Sequence, residues 1–201
     1  MSITNYSELQ ASVASWLNRN DLSSNIPDFI TLAEAQLSTD LKTRSMEAKV
    51  TLSTVAGTKT VALPTDMLEM RRIQVVGTYN QPLSYRSPDE LSIDYAANGS
   101  GQPVVFTVVG GNVELAPIPD AVYSLELTYQ QRIPALSDAS QTNWLLTNWP
   151  NAYLYAALLA ATPFIMNDER LPVWASLYEK AKDSINGVDW YSGSTMKVRS
   201  R

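Results

Sequence analysis

The sequence predicts an α+β fold: an antiparallel helical bundle built from the two ends of the chain, an antiparallel β domain inserted into it, and an extended C-terminal arm. Three observations carry this expectation. Apolar residues recur at helical spacing over positions 1–45 and again over 134–186. Between them, over 46–133, apolar residues alternate with polar ones and turn residues punctuate the pattern. Over 187–201 no apolar period remains, so that stretch reads as an arm that orders only against a partner.

The first helix is expected over residues 6–18. Asn5 stands three residues before Glu8, the spacing of a capping box. Tyr6, Leu9, Val13, Trp16 and Leu17 fall on one face. A second helix should start at Pro27, whose missing N–H costs nothing in a first turn. Its stripe is Ile30, Ala33, Leu37 and Leu41, and the short link to the first helix implies an antiparallel pair.

In the middle region Val50, Leu52 and Thr54, then Ala56-Gly57-Thr58, then Val61 and Leu63, read as a hairpin. Pro64-Thr65-Asp66 stops it. A strand follows over 70–76, and a short one over 82–85. Ser87, with Pro88, Asp89 and Glu90 behind it, reads as a capped helix start. Strands over 104–109 and 113–116 flank Gly110-Gly111-Asn112 as a second hairpin. Tyr123, Leu125, Leu127 and Tyr129 mark a last strand, and a polar connection runs over 134–143.

Helical spacing returns near Pro150, with Tyr153, Ala156, Ala157, Leu159 and Ala160 on one face. Pro163 should kink or end that helix. Asp168 and Glu169 open a last helix carrying Trp174, Leu177, Tyr178, Ala181 and Ile185, and Gly187 is expected to end it.

Composition narrows the function. The chain is 45% hydrophobic and 17% charged, values of a folded protein whose surface is low in charge. Its formal net charge is −5. From Gly187 onward Lys197, Arg199 and Arg201 oppose Asp189 alone, so the arm is +2 and the remainder −7. Unspecific binding to nucleic acid, which needs clustered cations, is not expected. The start of the chain lacks the basic-then-apolar pattern of a signal peptide, and the stretch 152–166 is too short and interrupted to span a bilayer. A soluble protein made inside a cell is the expectation.

The 201 residues hold no histidine and no cysteine. Imidazole or thiol dyads and zinc sites of the usual kinds are therefore closed to this chain. Asp89 with Glu90 could be read as a glycosidase pair, yet acids in a first helical turn are ordinary. Gly110-Gly111 lacks the following helix and lysine of a phosphate cradle. No EF-hand spacing occurs. No catalytic residue, cofactor or metal site is expected. Among the tryptophans, Trp16 and Trp174 lie on helical stripes and suit a core. Trp144, Trp149 and Trp190 fall in expected loops or the arm, where they could anchor an interface.

Several segments, in order, resemble the head-to-tail adaptor (connector) proteins of tailed bacteriophages. They are Asp28-Phe29-Ile30-Thr31-Leu32-Ala33-Glu34-Ala35-Gln36-Leu37, then Ala62-Leu63-Pro64-Thr65-Asp66 running into Met70-Arg71-Arg72-Ile73. Next come Val113-Glu114-Leu115-Ala116-Pro117-Ile118-Pro119 and Leu127-Thr128-Tyr129, and finally Tyr155-Ala156-Ala157 and the Trp174 to Tyr178 spacing. The early loop departs from the family's usual entry, having Ser24-Asn25-Ile26-Pro27. The resemblance implies a non-enzymatic virion protein of the tail or neck, made in the host cytoplasm. It implies a ring, commonly of twelve copies, between the portal and the tail nozzle, through which DNA passes without specific binding. The C-terminal arm would then touch the portal through Trp190, Tyr191, Lys197, Arg199 and Arg201. The other readings open to the sequence are a fibre or baseplate component, or a carbohydrate-binding module using Tyr79, Tyr85 or Tyr95 of the β region as stacking platforms.

Overall fold

The computed structural model describes residues 3–19, 21–95, 99–165 and 168–188. In chain order the elements are α1 (Tyr6–Leu17), α2 (Ile26–Asp40), β1 (Glu47–Ser53), β2 (Thr60–Ala62), β3 (Met67–Val76), β4 (Gln81–Pro82), β5 (Ser84–Tyr85) and α3 (Pro88–Asp94). There follow β6 (Val105–Val109), β7 (Asn112–Ala116), β8 (Ser124–Gln131), α4 (Trp144–Asn148), α5 (Pro150–Ala160) and α6 (Leu171–Val188). Helices and mainly antiparallel sheets make the chain α+β. It divides into two units, Met1–Met46 with Ile133–Arg201, and Glu47–Arg132.

The helical unit has one core, supplied by α1, α2, α4, α5, α6 and the connection after β8. α5 packs against α1, α2, α4 and α6. Its sequence explains this: Ala152, Tyr153, Leu154, Ala156, Ala157 and Leu158 are all buried, and a helix apolar nearly all round needs neighbours on several sides. Pro163 follows α5 in a 3-10 turn, Thr162–Phe164, and ends the helix. α6 buries one stripe, Trp174, Tyr178, Ala181 and Ile185, while Leu177 lies half-buried beside it.

Four details of this unit correct the sequence reading. Asn5 does cap α1, its Oδ1 accepting the Glu8 N–H at 2.8 Å, but the Glu8 carboxylate accepts the N–H and hydroxyl of Thr4, both at 2.7 Å. The return bond of the capping box is thus shifted one residue upstream. Trp16 is not core: it is 42% exposed, its ring edge-on to Tyr155 at 6.0 Å, so one side packs and the other meets water. Trp144 and Trp149 are not in a loop. Trp144 opens α4, which Asn143 caps, Trp149 joins α4 to α5, and both lie half-buried against the helical core. Gly187 does not end α6, which continues to Val188, because that glycine does not take the left-handed conformation of a helix terminator.

The β unit holds two four-stranded sheets, ordered β1-β8-β3-β4 and β2-β7-β6-β5. One core is drawn from both, with Ile73, Leu125 and Leu127 on the first and Val113, Leu115 and Phe106 on the second. β6 and β7 form the expected hairpin, turning through Gly110 at φ +57° and Gly111 at φ +78°. β1 and β2 do not form a hairpin. β1 pairs antiparallel with β8, and β2 pairs with β7 in the other sheet. Alternation gives a strand its faces but not its partner. Here the Leu52–Leu125 and Val50–Leu127 pairs hold β1 on β8. Nor is the unit wholly antiparallel: β5 pairs parallel with β6, because α3 lies in the connection and carries the chain across.

Candidate interaction surfaces

The residues weighed for chemistry have structural work. Ser87 and Glu90 form a complete capping box on α3, Oγ of Ser87 accepting the Glu90 N–H at 3.3 Å and the Glu90 carboxylate accepting the Ser87 N–H at 3.1 Å. Asp89 sits in the same first turn. Gly110 and Gly111 are hairpin residues. Among the described residues no three acidic side chains gather into a metal site. Tyr79 is 89% exposed in the connection after β3, and Tyr85 is exposed on β5 of the other sheet, edge-on to Phe106 at 5.7 Å. Tyr95 is half-buried against the small cluster around Leu91. Trp190, Tyr191, Lys197, Arg199 and Arg201 lie outside the described residues.

Two family-like motifs prove to be anchors. Asp66, of the Leu63-Pro64-Thr65-Asp66 turn, accepts the Tyr129 hydroxyl at 3.3 Å and the Gln131 amide at 2.6 Å, while its carbonyl accepts the Arg132 N–H at 2.8 Å. The turn is thereby tied to the end of β8. Glu34, of the α2 motif, points into the helical core. It accepts the Leu136 N–H at 2.8 Å and the Tyr153 hydroxyl at 3.2 Å. Asn143 Nδ2 donates in turn to the Tyr153 hydroxyl at 2.6 Å and to the Pro134 carbonyl at 2.7 Å. Ser38, one turn after Glu34, accepts the Ile133 N–H at 3.3 Å. The polar connection 134–143 is therefore fastened to α2 and α5. Burial pushes the Glu34 carboxyl up from its ordinary value, and the two donors pull less strongly the other way.

The helical unit also carries a groove of about 450 Å³ between α2, α5 and α6. Leu32, Ala156, Leu159 and Ala160 line it with apolar surface, and Asp40 and Glu179 add carboxylates. Leu32 is 57% exposed there. At one end Asp40 accepts the Tyr178 hydroxyl at 2.6 Å and the Gln36 amide at 2.8 Å, and burial raises the Tyr178 hydroxyl far above its usual range. Asn186 locks α6 to the same end, donating to the Asp40 carbonyl at 3.2 Å and accepting the Lys42 N–H at 3.0 Å.

The β unit carries an apolar end. Ser53, Ser124 and Val76 form one rung of the first sheet, and the loops beyond it are tied together. The Thr54 hydroxyl donates to the Ala121 carbonyl at 3.0 Å and accepts the Tyr123 N–H at 2.8 Å, while the Gly57 N–H reaches the Pro119 carbonyl at 2.8 Å. On this braced frame stand Val55, 61% exposed, and Val122, 71% exposed, with Val76 at the end of β3 in the same rung as Ser124. Beside it Lys59 pairs with Glu114 at 3.1 Å, and the Asp120 carboxylate accepts the Tyr123 hydroxyl at 2.6 Å. Sequence reasoning missed both surfaces. The available signals were Leu32, which stands off its helix's buried stripe, and valines placed in turns.

Apolar side chains on braced loops and an open helical groove are features of a protein that acts through contact with other proteins. The sequence matches the family model of the SU10 adaptor protein over residues 4–199, and the chain belongs to that family, one of phage adaptors. Membership implies a structural, non-enzymatic component of the virion that associates with portal and tail proteins. No curated protein matches the chain. Among the described residues no helix is long and apolar enough to cross a membrane.

Proposed function

We propose that this chain is a head-to-tail adaptor that assembles into a ring, of twelve copies, between the portal and the tail nozzle of the virion. The match to an adaptor family over residues 4–199 is the observation that carries this reading. The helices of both chain ends act as a bundle that makes the ring contacts. The C-terminal arm, 189–201 beyond α6, reaches the portal through Trp190, Tyr191, Lys197, Arg199 and Arg201. The apolar end of the β unit, with Val55 and Val122, meets a tail-side protein, for which exposed apolar side chains on hydrogen-bonded loops are suited. A ring closed by rotation needs one surface of each copy to meet a different surface of the next. An acidic chain also suits a channel: twelve copies at −5 each carry about −60, which repels DNA in transit.

Native mass measurement and electron microscopy of the purified chain, alone and mixed with portal, test the ring. A closed oligomer on the portal is expected; a monomer indifferent to portal would sink the reading. Deletion of residues 188–201 is expected to leave a folded subunit that no longer co-sediments with portal, and retained co-sedimentation would remove the arm's role.

A further inference from the structure

We propose that the chain's own C-terminal segment, residues 189–201, docks in the groove between α2, α5 and α6. The groove leaves Leu32 largely in water beside half-buried Leu159 and Ala160. Its lining includes two carboxylates, Asp40 and Glu179, of which Glu179 also pairs with Lys182 on α6. The segment has the complementary chemistry: Trp190, Tyr191, Met196 and Val198 to cover apolar surface, and Lys197, Arg199 and Arg201 to meet carboxylates.

It also starts in the right place. Asn186 holds the end of α6 against the Asp40 end of α2, and Val188, the last described residue, is two positions further on. Thirteen residues remain, enough for roughly 40 Å of extended chain. The stretch of α2 from Leu32 to Asp40 is only about 12 Å long. Tethering at this distance gives an effective concentration on the order of millimolar, so even weak contacts fill the groove. The groove then acts as a holder for the arm. If the arm is also the portal contact, as proposed above, portal must draw it out, and the groove is freed on docking. That consequence rests on the portal reading, whereas occupancy of the groove does not.

The chain has no cysteine, which makes a pairwise cross-link test clean. Full-length chain carrying Gln36→Cys in the groove and Ser192→Cys in the arm is treated with a short bismaleimide at low protein concentration. A control pairs Ser192→Cys with Ser7→Cys on α1. The groove pair is expected to link within one chain about tenfold faster than the control, and adding Leu32→Lys, at an exposed site that tolerates it and with a charge that repels the basic arm, is expected to abolish that advantage. Equal rates for the two pairs, or links formed between chains, would overturn the proposal. Portal is then added to unlinked full-length chain in a separate assay. Portal binding without the groove link removes this inference and leaves the adaptor reading standing; the link without portal binding does the reverse.

Discussion

Glu34 shows how one residue ties sequence, fold and pH together. Its carboxyl is buried with two donors, the Leu136 N–H and the Tyr153 hydroxyl, and burial outweighs them, raising its pKa in the folded chain. A raised folded value means that this group's contribution to stability is fully present below the ordinary glutamate value of 4.5 and is lost as pH rises through the folded value. Glu34→Gln keeps an acceptor for both donors and cannot ionise. The melting temperature of the variant relative to the native chain should therefore rise between about pH 4 and about pH 7. A difference that stays flat across that range would show that Glu34 is not the titrating group. Tyr178 is the second test at this scale. Its hydroxyl donates to the Asp40 carboxylate from a buried ring, and Tyr178→Phe should lose about 1.5 kcal/mol in urea unfolding. Neither partner could be read from the sequence, because Tyr178 and Asp40 are 138 residues apart.

At the scale of elements, local chemistry and long-range pairing parted company. The β6–β7 hairpin was legible because Gly110 and Gly111 supply the positive φ that the turn needs. A Cβ on Gly111 would meet nothing within 4 Å, so Gly111→Ala tests backbone conformation alone. It should cost about 1 kcal/mol, read as a shift in the unfolding midpoint without a change of slope. The β1–β2 hairpin was misread because Gly57 serves a loop that the Pro119 carbonyl holds. Leu127, fully buried on β8 between β1 and β3, tests the corrected pairing: Leu127→Ala should cost about 2–5 kcal/mol. A loss near zero would mean that β8 is not the centre of its sheet's packing.

At the scale of the whole molecule, charge sets what the chain avoids. With a formal charge of −5 and its excess cations confined to the last fifteen residues, the body of the protein is repelled by phosphate. Duplex DNA should show no mobility shift with the chain near 0.1 M salt, where charges are screened only beyond about 10 Å. A clear shift would contradict the proposed channel, which DNA must pass without sticking. The surfaces that do attract are apolar. Val122→Asp, at the braced end of the β unit, should leave the melting temperature within a few degrees and the proposed ring intact while weakening recruitment of tail-side protein, read by pull-down from assembled complexes with portal.

The sequence by itself determined the α+β class, the position of nearly every helix and strand, and the family, since all of these follow from spacing, caps, turns and ordered motifs along the chain. Trp16 shows the limit: its stripe position was legible, but its exposure depends on what faces α1. Only the tertiary structure decided which strands pair, which residues Glu34 and Asp66 hold, and where the groove and the apolar end of the β unit lie. Those features join residues far apart in sequence, and their energies come from burial and hydrogen bonds between segments, which local periodicity does not encode.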